Sequence, residues 1–581
     1  MNTRFIICNY QNLQEEFLDL PVKLTVSRDV NILLSQSVTN KDGIYVAIDG
    51  FVCPVNSIFH KYHLFSQEDL IIELYSTYGE NFIQYVKGFF VIVIITPEKV
   101  LIVNDIHSVK RFYYSNKSNR YFITNDPMML KHLDKLNPNP YAAPMLAAFQ
   151  HFVEGYTLFE DVFYSKPASI FFAEMNQLKM QEYLDIDYFA GLSKQKITIN
   201  DFMSEFQTSI HNQFSFLNCK KPALTLSGGR DTRTILATLL RQNISPHCFS
   251  YGNPKSMDNQ TATNIADKLK LDYHNFHIEN LNCENYDTIA FQLFRNANPF
   301  IHLHRTYRMH AAIEAEKQIS PDIIYTGFMG GDYIMGESFN DYIITEFLRR
   351  YLTYKESENE LFKSIFSKHF IITKNHHIDF VKTILKKLKL RHQVFDKMSE
   401  YRIVHQIIGC THDIQDLNIF MNEKSFVSAP FMDRDIMSLL FASEFSMFFN
   451  SKHSKNPFAR LKGGELQCTI IKHLSPQLAS IPFTNRYTPD DVLGNRLKYV
   501  LKRTAQQFFK PKTVPSFSYE NWFSEFINLK INNFGDNINN MYNTEKLISS
   551  FYSNIHLNNE GYWHPFTNPL TLDLYYKQLI S

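Results

Sequence analysis

One stretch constrains this chain more than any other: Leu224-Thr225-Leu226-Ser227-Gly228-Gly229-Arg230-Asp231-Thr232-Arg233-Thr234. Ala223 to Leu226 has the short apolar character of a buried strand. From Thr232 through Leu240 the apolar residues recur with helical spacing. The turn between them is built from small residues. Its two glycines let the backbone approach a ligand closely and accept positive φ. The helix that follows aims its first N–H groups and the positive end of its dipole into that turn, which makes an anion site. Ser227 and Thr232 add hydroxyl donors. Asp231 suits an anion site only beside a cation, so it reads as a Mg²⁺ ligand. No Gly-Lys-Ser/Thr follows the glycines, which excludes a Walker loop.

Strand and helix alternate around this turn. A helix over Asp201 to Leu217 leads into it. Pro246 to Gly252 reads as a second strand and turn, Asp258 to Lys270 as a helix, and Leu271 to His277 as a third strand. This succession predicts a doubly wound parallel sheet, whose ligands bind at the carboxyl ends of strands. Ser227 to Asp231 and Ser250-Tyr251-Gly252 then share one rim. Ile323-Ile324-Tyr325-Thr326-Gly327-Phe328-Met329-Gly330-Gly331-Asp332 repeats the logic, a strand running into a Gly-rich turn with one acid. Two acids from two strand ends, Asp231 and Asp332, suit a Mg²⁺ ion that bridges phosphate oxygens.

The first turn resembles the Ser-Gly-Gly-x-Asp-Ser pyrophosphate loop of the ATP pyrophosphatases, with Thr232 where Ser is usual. The resemblance implies that Leu226, Ser227, Gly228, Gly229, Arg230 and Thr232 grip the phosphates of ATP that leave as pyrophosphate, while a carboxylate becomes an acyl-adenylate. The second turn resembles the Gly-x-Gly-x-Asp-x-x-x-Gly segment of the same enzymes. There Gly327, Gly330 and Gly331 would shape the turn and Asp332 would be the second magnesium ligand. Ser250, Tyr251 and Gly252 would lie near the adenine. Ala429 to Asp435 resembles a Val-Pro-Phe-Leu-Asp segment that walls the substrate cleft, and reads equally as a Pro-started helix packed in the core. Lys472 to Pro489 resembles the stretch that carries a pyrophosphate-binding lysine, with Lys472 and Arg486 as the candidates.

Residues 1 to 190 read as β-rich with intervening helices. Asp42-Gly43 and Asp49-Gly50 are expected to be hairpin turns, Gln67 to Tyr78 a helix, and Val86 to Ile95 a buried strand paired with Val100 to Asp105. Tyr78-Gly79-Glu80-Asn81-Phe82, Lys87-Gly88-Phe89-Phe90, Asn104-Asp105, Arg111-Phe112-Tyr113-Tyr114 and Ser165-Lys166-Pro167-Ala168 resemble, in that order, the N-terminal glutaminase domain of asparagine synthetase. That implies an Ntn-hydrolase-like α/β sandwich. The family's glutamine-hydrolysing members carry Cys after the initiator Met, whose thiolate attacks glutamine with its own α-amine as base. Here position 2 is Asn2, and Cys8 sits inside an apolar run as a small core residue. The family's arginine and Asn-Gly glutamine-binding segments are not recognisable here, and Asp49-Gly50 is the nearest candidate. The expectation is therefore a glutaminase fold without glutaminase chemistry, as in β-lactam synthetase and the lasso-peptide cyclases.

The 581 residues hold 59 basic and 58 acidic side chains, which gives no bulk attraction to nucleic acid or an acidic membrane. Seven scattered cysteines without a Cys-x-x-Cys pair argue against disulfides and zinc and for the cytoplasm. The Met1 to Cys8 run is too short for a signal peptide, and no apolar stretch reaches membrane length. His302-Leu303-His304 and His376-His377 lack a third ligand at metal spacing. Gly191 to Asn200 reads as a linker.

The expected class is α/β, with a glutaminase-like domain over 1–190 and a parallel-sheet ATP-pyrophosphatase synthetase domain over 200–581 that ends in a helical part. The expected chemistry is ATP- and Mg²⁺-dependent amide formation. It joins a small-molecule or peptide carboxylate to an amine or ammonia through an acyl-adenylate, possible macrolactam closure included. Asparagine synthesis from aspartate and ammonia, and a nucleotide-binding scaffold without catalysis, are the rival expectations. Met329 stands where asparagine synthetase has a glutamate and β-lactam synthetase a tyrosine that help deprotonate the amine. A thioether cannot accept that proton, so a base would come from elsewhere, with His302, His304 and Glu337 as candidates.

Overall fold

The computed structural model describes residues 3–9, 22–26, 30–35, 38–133, 135–175, 177–277, 283–296, 303–335, 345–353, 357–390, 402, 414–421, 424–449, 462–494, 497, 499–502, 522–554 and 560–580. It is a mixed α/β chain with two antiparallel sheets, one parallel sheet and a helical C-terminal region. No helix among the described residues is long and apolar enough to cross a membrane.

The strands of the first half are β1 (Phe5–Cys8), β2 (Val22–Val26), β3 (Val30–Leu34), β4 (Thr39–Lys41), β5 (Ile44–Pro54), β6 (Val86–Ile95), β7 (Val100–Asn104), β8 (Tyr113–Lys117), β9 (Arg120–Thr124), β10 (Phe163–Tyr164), β11 (Ser169–Glu174) and β12 (Gln177–Glu182). One sheet runs β10-β8-β9-β1-β3-β2 and the other β12-β11-β7-β6-β5-β4. The period of two sends alternate side chains of each strand to opposite faces. Phe5 and Ile7 of β1 meet Val91, Val93, Ile102 and Phe171 between the sheets. Ile6 and Cys8 point the other way, into a separate core. On the far face of the second sheet, Ile48, Phe90, Ile92 and Val103 pack on Leu70, Ile71 and Leu74 of the Gln67–Tyr78 helix. Burial of each such side chain contributes about 2 kcal/mol.

Asp42-Gly43 forms the expected hairpin turn between β4 and β5, both residues at positive φ. Asp49-Gly50 does not turn. It lies inside β5, with Asp49 opposite Val91 and Gly50 opposite Phe90. Gly50 takes φ +101, and a Cβ there would stand 2.1 Å from the Phe89 carbonyl oxygen. The glycine permits a close approach of the paired β6 backbone rather than a reversal.

The second half builds on β13 (Pro222–Thr225), β14 (His247–Tyr251), β15 (Tyr273–Phe276), β16 (Ile323–Tyr325) and β17 (Phe426–Ser428). All four pairings are parallel, in the order β15-β14-β13-β16-β17. The strand order reverses at β13 and β16, the place where open α/β sheets leave a crevice. The helix before β13 spans Ile199–Phe216, two residues earlier than its sequence suggests. Thr198 and Asp201 close a capping box that fixes the start. Ser256 caps the Met257–Leu269 helix after β14.

Ala429 to Asp435 holds both halves together. Pro430–Met432 makes a single 3₁₀ turn, and Asp433 then caps the Arg434–Ala442 helix. Lys87 of β6, only 2% exposed at its side chain, reaches Asp433 at 3.0 Å and Asp435 at 2.7 Å. Ser209 donates to Asp433 at 2.6 Å. His107 meets the Met432 carbonyl at 2.7 Å, and Phe51 stacks edge-on to Phe426. The two carboxylates raise the Lys87 pKa despite its burial, so the ammonium stays charged.

Candidate active site

The Ser227 turn forms because its own hydroxyls satisfy its backbone. Ser227 N–H donates to Thr232 Oγ1 at 3.2 Å, Gly229 N–H donates to Ser227 Oγ at 3.2 Å, and the two hydroxyl oxygens lie 3.0 Å apart. Gly229 is the N-cap of the Arg230–Arg241 helix and brings no capping side chain. The N–H groups of the first turn have no carbonyl within the helix to meet, and they point toward the crevice end of β13. Neither glycine takes positive φ, contrary to one sequence expectation. Proximity is what requires Gly228: a Cβ there would lie 2.1 Å from Thr484 Oγ1 and 3.0 Å from Asp258 Oδ1.

Two side chains that sequence reasoning missed hold this loop. Asp258 accepts the Gly228 N–H at 2.8 Å and the Thr484 hydroxyl at 3.1 Å, and its burial raises its pKa. Arg233, fully buried, donates to the carbonyls of Ile481 at 2.7 Å, Pro482 at 2.6 Å and Gly228 at 3.3 Å. Its guanidinium lies over the Phe483 ring, and burial draws its pKa down to about 10. An arginine within a helical apolar stripe gives no sequence signal for this role.

The second turn presses directly on the first. A Cβ at Gly327 would stand 2.8 Å from Asp231 Cβ, and one at Gly330 2.6 Å from Asp231 Oδ1. Only glycine leaves room for that carboxylate. Gly330 and Gly331 open the Gly330–Met335 helix, and Asp332 sits half-buried in its first turn. The structure thus brings together the Ser227–Asp231 loop and the Gly327–Asp332 loop at the ends of adjacent strands. Met329 takes φ +62 and is buried in the core, with its carbonyl accepting the Tyr333 N–H. His302 and Glu337 lie outside the described residues, as does the side chain of His304.

The Lys462–Leu474 helix closes the other side. Gln467 Nε2 donates to Asp231 Oδ1 at 2.5 Å. The Arg230 guanidinium contacts Met335 Sδ at 3.0 Å, and a Cβ on Gly464 would approach it to 2.8 Å. Lys472, on the same helix, pairs with Asp490 at 2.8 Å and is half exposed. Lys472 is roughly 140° round the helix from Gln467 at 3.6 residues per turn. Arg486 is exposed and takes φ +61 in the turn whose Thr484 N–H donates to the Gly228 carbonyl at 3.3 Å.

The remaining rim residues end β14. Ser250 Oγ is shared with the Tyr273 hydroxyl at 2.5 Å and the Asn275 amide at 2.9 Å. The Tyr251 ring packs near Tyr307 and Phe420, and Gly252 takes φ +102 as its N–H meets the Phe276 carbonyl.

Asp49 pairs with Lys110 at 3.0 Å and accepts the Asn125 amide at 2.8 Å. Asp105 accepts N–H bonds from Phe90, His107, Val109 and Lys110, while burial pushes its pKa up to about 6. Cys8 is fully buried on β1. A larger cavity of about 230 Å³ opens between the halves, but its rim charges are largely matched, Lys166 with Glu154 at 2.9 Å and Arg402 with Asp187 at 2.7 Å. His376 and His377 pack edge-on to Tyr141.

No protein-family model and no curated protein matches the chain. Two solved structures resemble it distantly. Glutamine phosphoribosylpyrophosphate amidotransferase from B. subtilis, complexed with ADP and GMP, matches at 11% identity and a TM-score of 0.19, over 47% of this chain and 59% of that one. An allosteric regulatory enzyme of purine biosynthesis matches at 9% identity and a TM-score of 0.20, over 39% of this chain and 54% of that one. The chain spans a little over half the length of each.

Proposed function

We propose that this chain is an ATP-dependent amide-forming ligase of the asparagine synthetase type. The observation that carries the reading is the contact of two Gly-rich turns, Ser227–Asp231 and Gly327–Asp332, at the carboxyl ends of β13 and β16. Gly327 and Gly330 leave a cradle around the Asp231 carboxylate that any larger residue would fill. Asp231 and Asp332 would hold Mg²⁺, whose chemistry is to offset the charge of the departing pyrophosphate. The chain's own part is to present hydroxyls and first-turn N–H groups to phosphate oxygens.

In the proposed reaction a substrate carboxylate oxygen attacks the α-phosphate of ATP, and the bond to the β-phosphate breaks. An amine then attacks the acyl carbon and AMP leaves with one of the carboxylate oxygens, so one carboxylate, one ATP and one amine become amide, AMP, pyrophosphate and a proton. The buried, left-handed Met329 takes no proton in this scheme. The sandwich over residues 1–190 is read as a glutaminase-like domain without glutamine hydrolysis. Position 2 is Asn2 rather than Cys, and Asp49 of the Asp49-Gly50 pair nearest to the family's Asn-Gly is held by Lys110 and Asn125. Nitrogen would then come from ammonia or from an amine of the substrate, and closure of a ring within one substrate falls within this chemistry.

A nucleotide-binding scaffold without chemistry is the second reading. The surface pairing of Lys472 with Asp490 favours it, since that lysine is a candidate pyrophosphate ligand. Exchange of labelled pyrophosphate into ATP, run across a panel of amino acids and short peptides, decides between them. The ligase reading expects substrate-dependent exchange that Asp231→Ala and Asp332→Ala each abolish. Binding of ATP with no exchange for any substrate favours the scaffold. Exchange unchanged by Asp231→Ala refutes the loop assignment.

A further inference from the structure

Asp231 and Asp332 make a sparse protein ligand set. Among the described residues no group of three or more His, Cys, Asp or Glu side chains is placed to hold a metal ion. A small hard cation takes six oxygen ligands, commonly one or two carboxylates with phosphate oxygens and water. A neutral protein oxygen beside Asp231 would take the place of one of those waters.

Gln467 supplies one. It lies on the buried side of the Lys462–Leu474 helix, among the fully buried Leu466, Cys468, Ile470 and Ile471. Helical spacing puts it on the same face as Gly464, three residues earlier, which packs on Arg230. Its Nε2 donates to Asp231 Oδ1 at 2.5 Å. Its Oε1 is buried and has no hydrogen-bond partner, on a side chain with no solvent exposure. A leucine would fill the same volume without burying a carbonyl oxygen, and buried polar atoms are rarely left unmatched. The unmatched oxygen therefore points to a ligand that the chain alone does not contain.

We propose that Gln467 is a positioning residue and neutral oxygen ligand for the divalent cation read at Asp231, an inference that rests on the metal reading of that carboxylate. A half-turn of the amide about its Cγ–Cδ bond exchanges Nε2 for Oε1. With Nε2 toward Asp231 the amide satisfies the carboxylate when no cation is bound. With Oε1 toward it, two acceptor oxygens face each other, an arrangement that is favourable only around a positive ion. Neighbouring ligand oxygens of one octahedral ion at ~2.1 Å stand about 3 Å apart, close to the present 2.5 Å spacing of the amide and the carboxylate. The amide is thus a two-position group whose orientation follows the cation.

The test is Mn²⁺ binding by the full-length chain, with free Mn²⁺ counted by electron paramagnetic resonance. Asp231→Asn is expected to weaken binding at least a hundredfold. Gln467→Leu and Gln467→Met, which keep the volume and remove the oxygen, are expected to weaken it about tenfold. Gln467→Glu, which presents an oxygen in either orientation, is expected to bind at least as tightly as the parent. Parent-like Mn²⁺ affinity in Gln467→Leu beside a weakened Asp231→Asn overturns this inference and leaves the metal reading standing. Parent-like affinity in Asp231→Asn, or no Mn²⁺ bound by the parent, overturns both. A measurement independent of variant folding uses the parent labelled with ¹³Cδ-glutamine. Electron-nuclear double resonance is expected to show one strongly coupled carbon beside bound Mn²⁺, and its absence overturns the role of Gln467.

Discussion

Asp49 and Asp105 of the antiparallel sandwich and Asp231 of the parallel-sheet region are held in different ways. In the sandwich each one is answered from within. Asp49 has Lys110 and Asn125, and Asp105 has four backbone N–H groups. In the parallel-sheet region Asp231 is wedged between two glycines and held by an amide whose other atom has no partner. The first pattern is that of groups fixed for structure, and the second is the one on which the proposed cation site rests. The difference teaches that an acid's burial says little about function until its partners are counted.

The seam between the regions is the place to break that comparison most severely. Lys87→Met removes the buried cation shared by Asp433 and Asp435 and leaves two half-buried carboxylates without it. A loss of about 4 kcal/mol in unfolding free energy is expected, measured by denaturant titration, with both regions lost in one transition. Separate transitions would show that the seam does not couple them.

Acid sharpens the comparison at His107. Burial pulls its pKa down to about 4, so the fold requires the neutral ring. A histidine with a lowered folded pKa stabilises fully above its unfolded value of 6.5, and that stability is lost as pH falls toward 4. The total is about 3 kcal/mol. Asp105 opposes it. Its folded pKa of about 6 lies above the ordinary 3.8, so its protonation favours the fold as pH falls through that window. The difference in stability between parent and His107→Gln, followed from pH 7.5 to 4.5, isolates the histidine. A difference that does not change with pH would refute the assignment.

Glycines give the next contrast. Gly330→Ala places a methyl 2.6 Å from Asp231 Oδ1 and is expected to cut pyrophosphate exchange about a hundredfold with little change in melting temperature. Gly50→Ala meets the Phe89 carbonyl at φ +101 and is expected to do the reverse, lowering stability while activity per folded molecule persists. Cys8→Ala is the smallest change. It costs about 1 kcal/mol as a buried truncation and leaves exchange untouched. A loss of exchange in Cys8→Ala would give the sandwich a chemical role it is not assigned here.

Much of the parallel sheet was legible because strand, Gly-rich turn and helix each leave a local mark. The strands at Leu224, Cys248 and Ile324 and both turns stand where their residues suggested. β17 was missed, since three residues followed by Ala429-Pro430 carry too little period to read. Asp49-Gly50 misled because Asp-Gly marks turns by composition, whereas the need for glycine there comes from the close approach of the paired β6 backbone. Gln467, Asp258 and Arg233 were invisible for a different reason. Gln467 and Asp258 touch the loop from other helices, Arg233 ties it to the distant Ile481 and Pro482 carbonyls, and their spacing records only a helix. Lys472 was named for its neighbourhood in sequence, but its direction round the helix is set by packing.

The Lys87 seam bears on how such a chain can be cut. A shortened version beginning near residue 200 would keep both Gly-rich turns, yet Asp433 and Asp435 would lose their counter-ion and Phe426 its ring partner. The truncated piece would expose a charged and greasy scar at the root of the Arg434–Ala442 helix. The sandwich therefore serves its neighbour as a wall as well as a domain, and the second half on its own would need new polar residues at Phe426 and new partners for Asp433 and Asp435 to stay in solution.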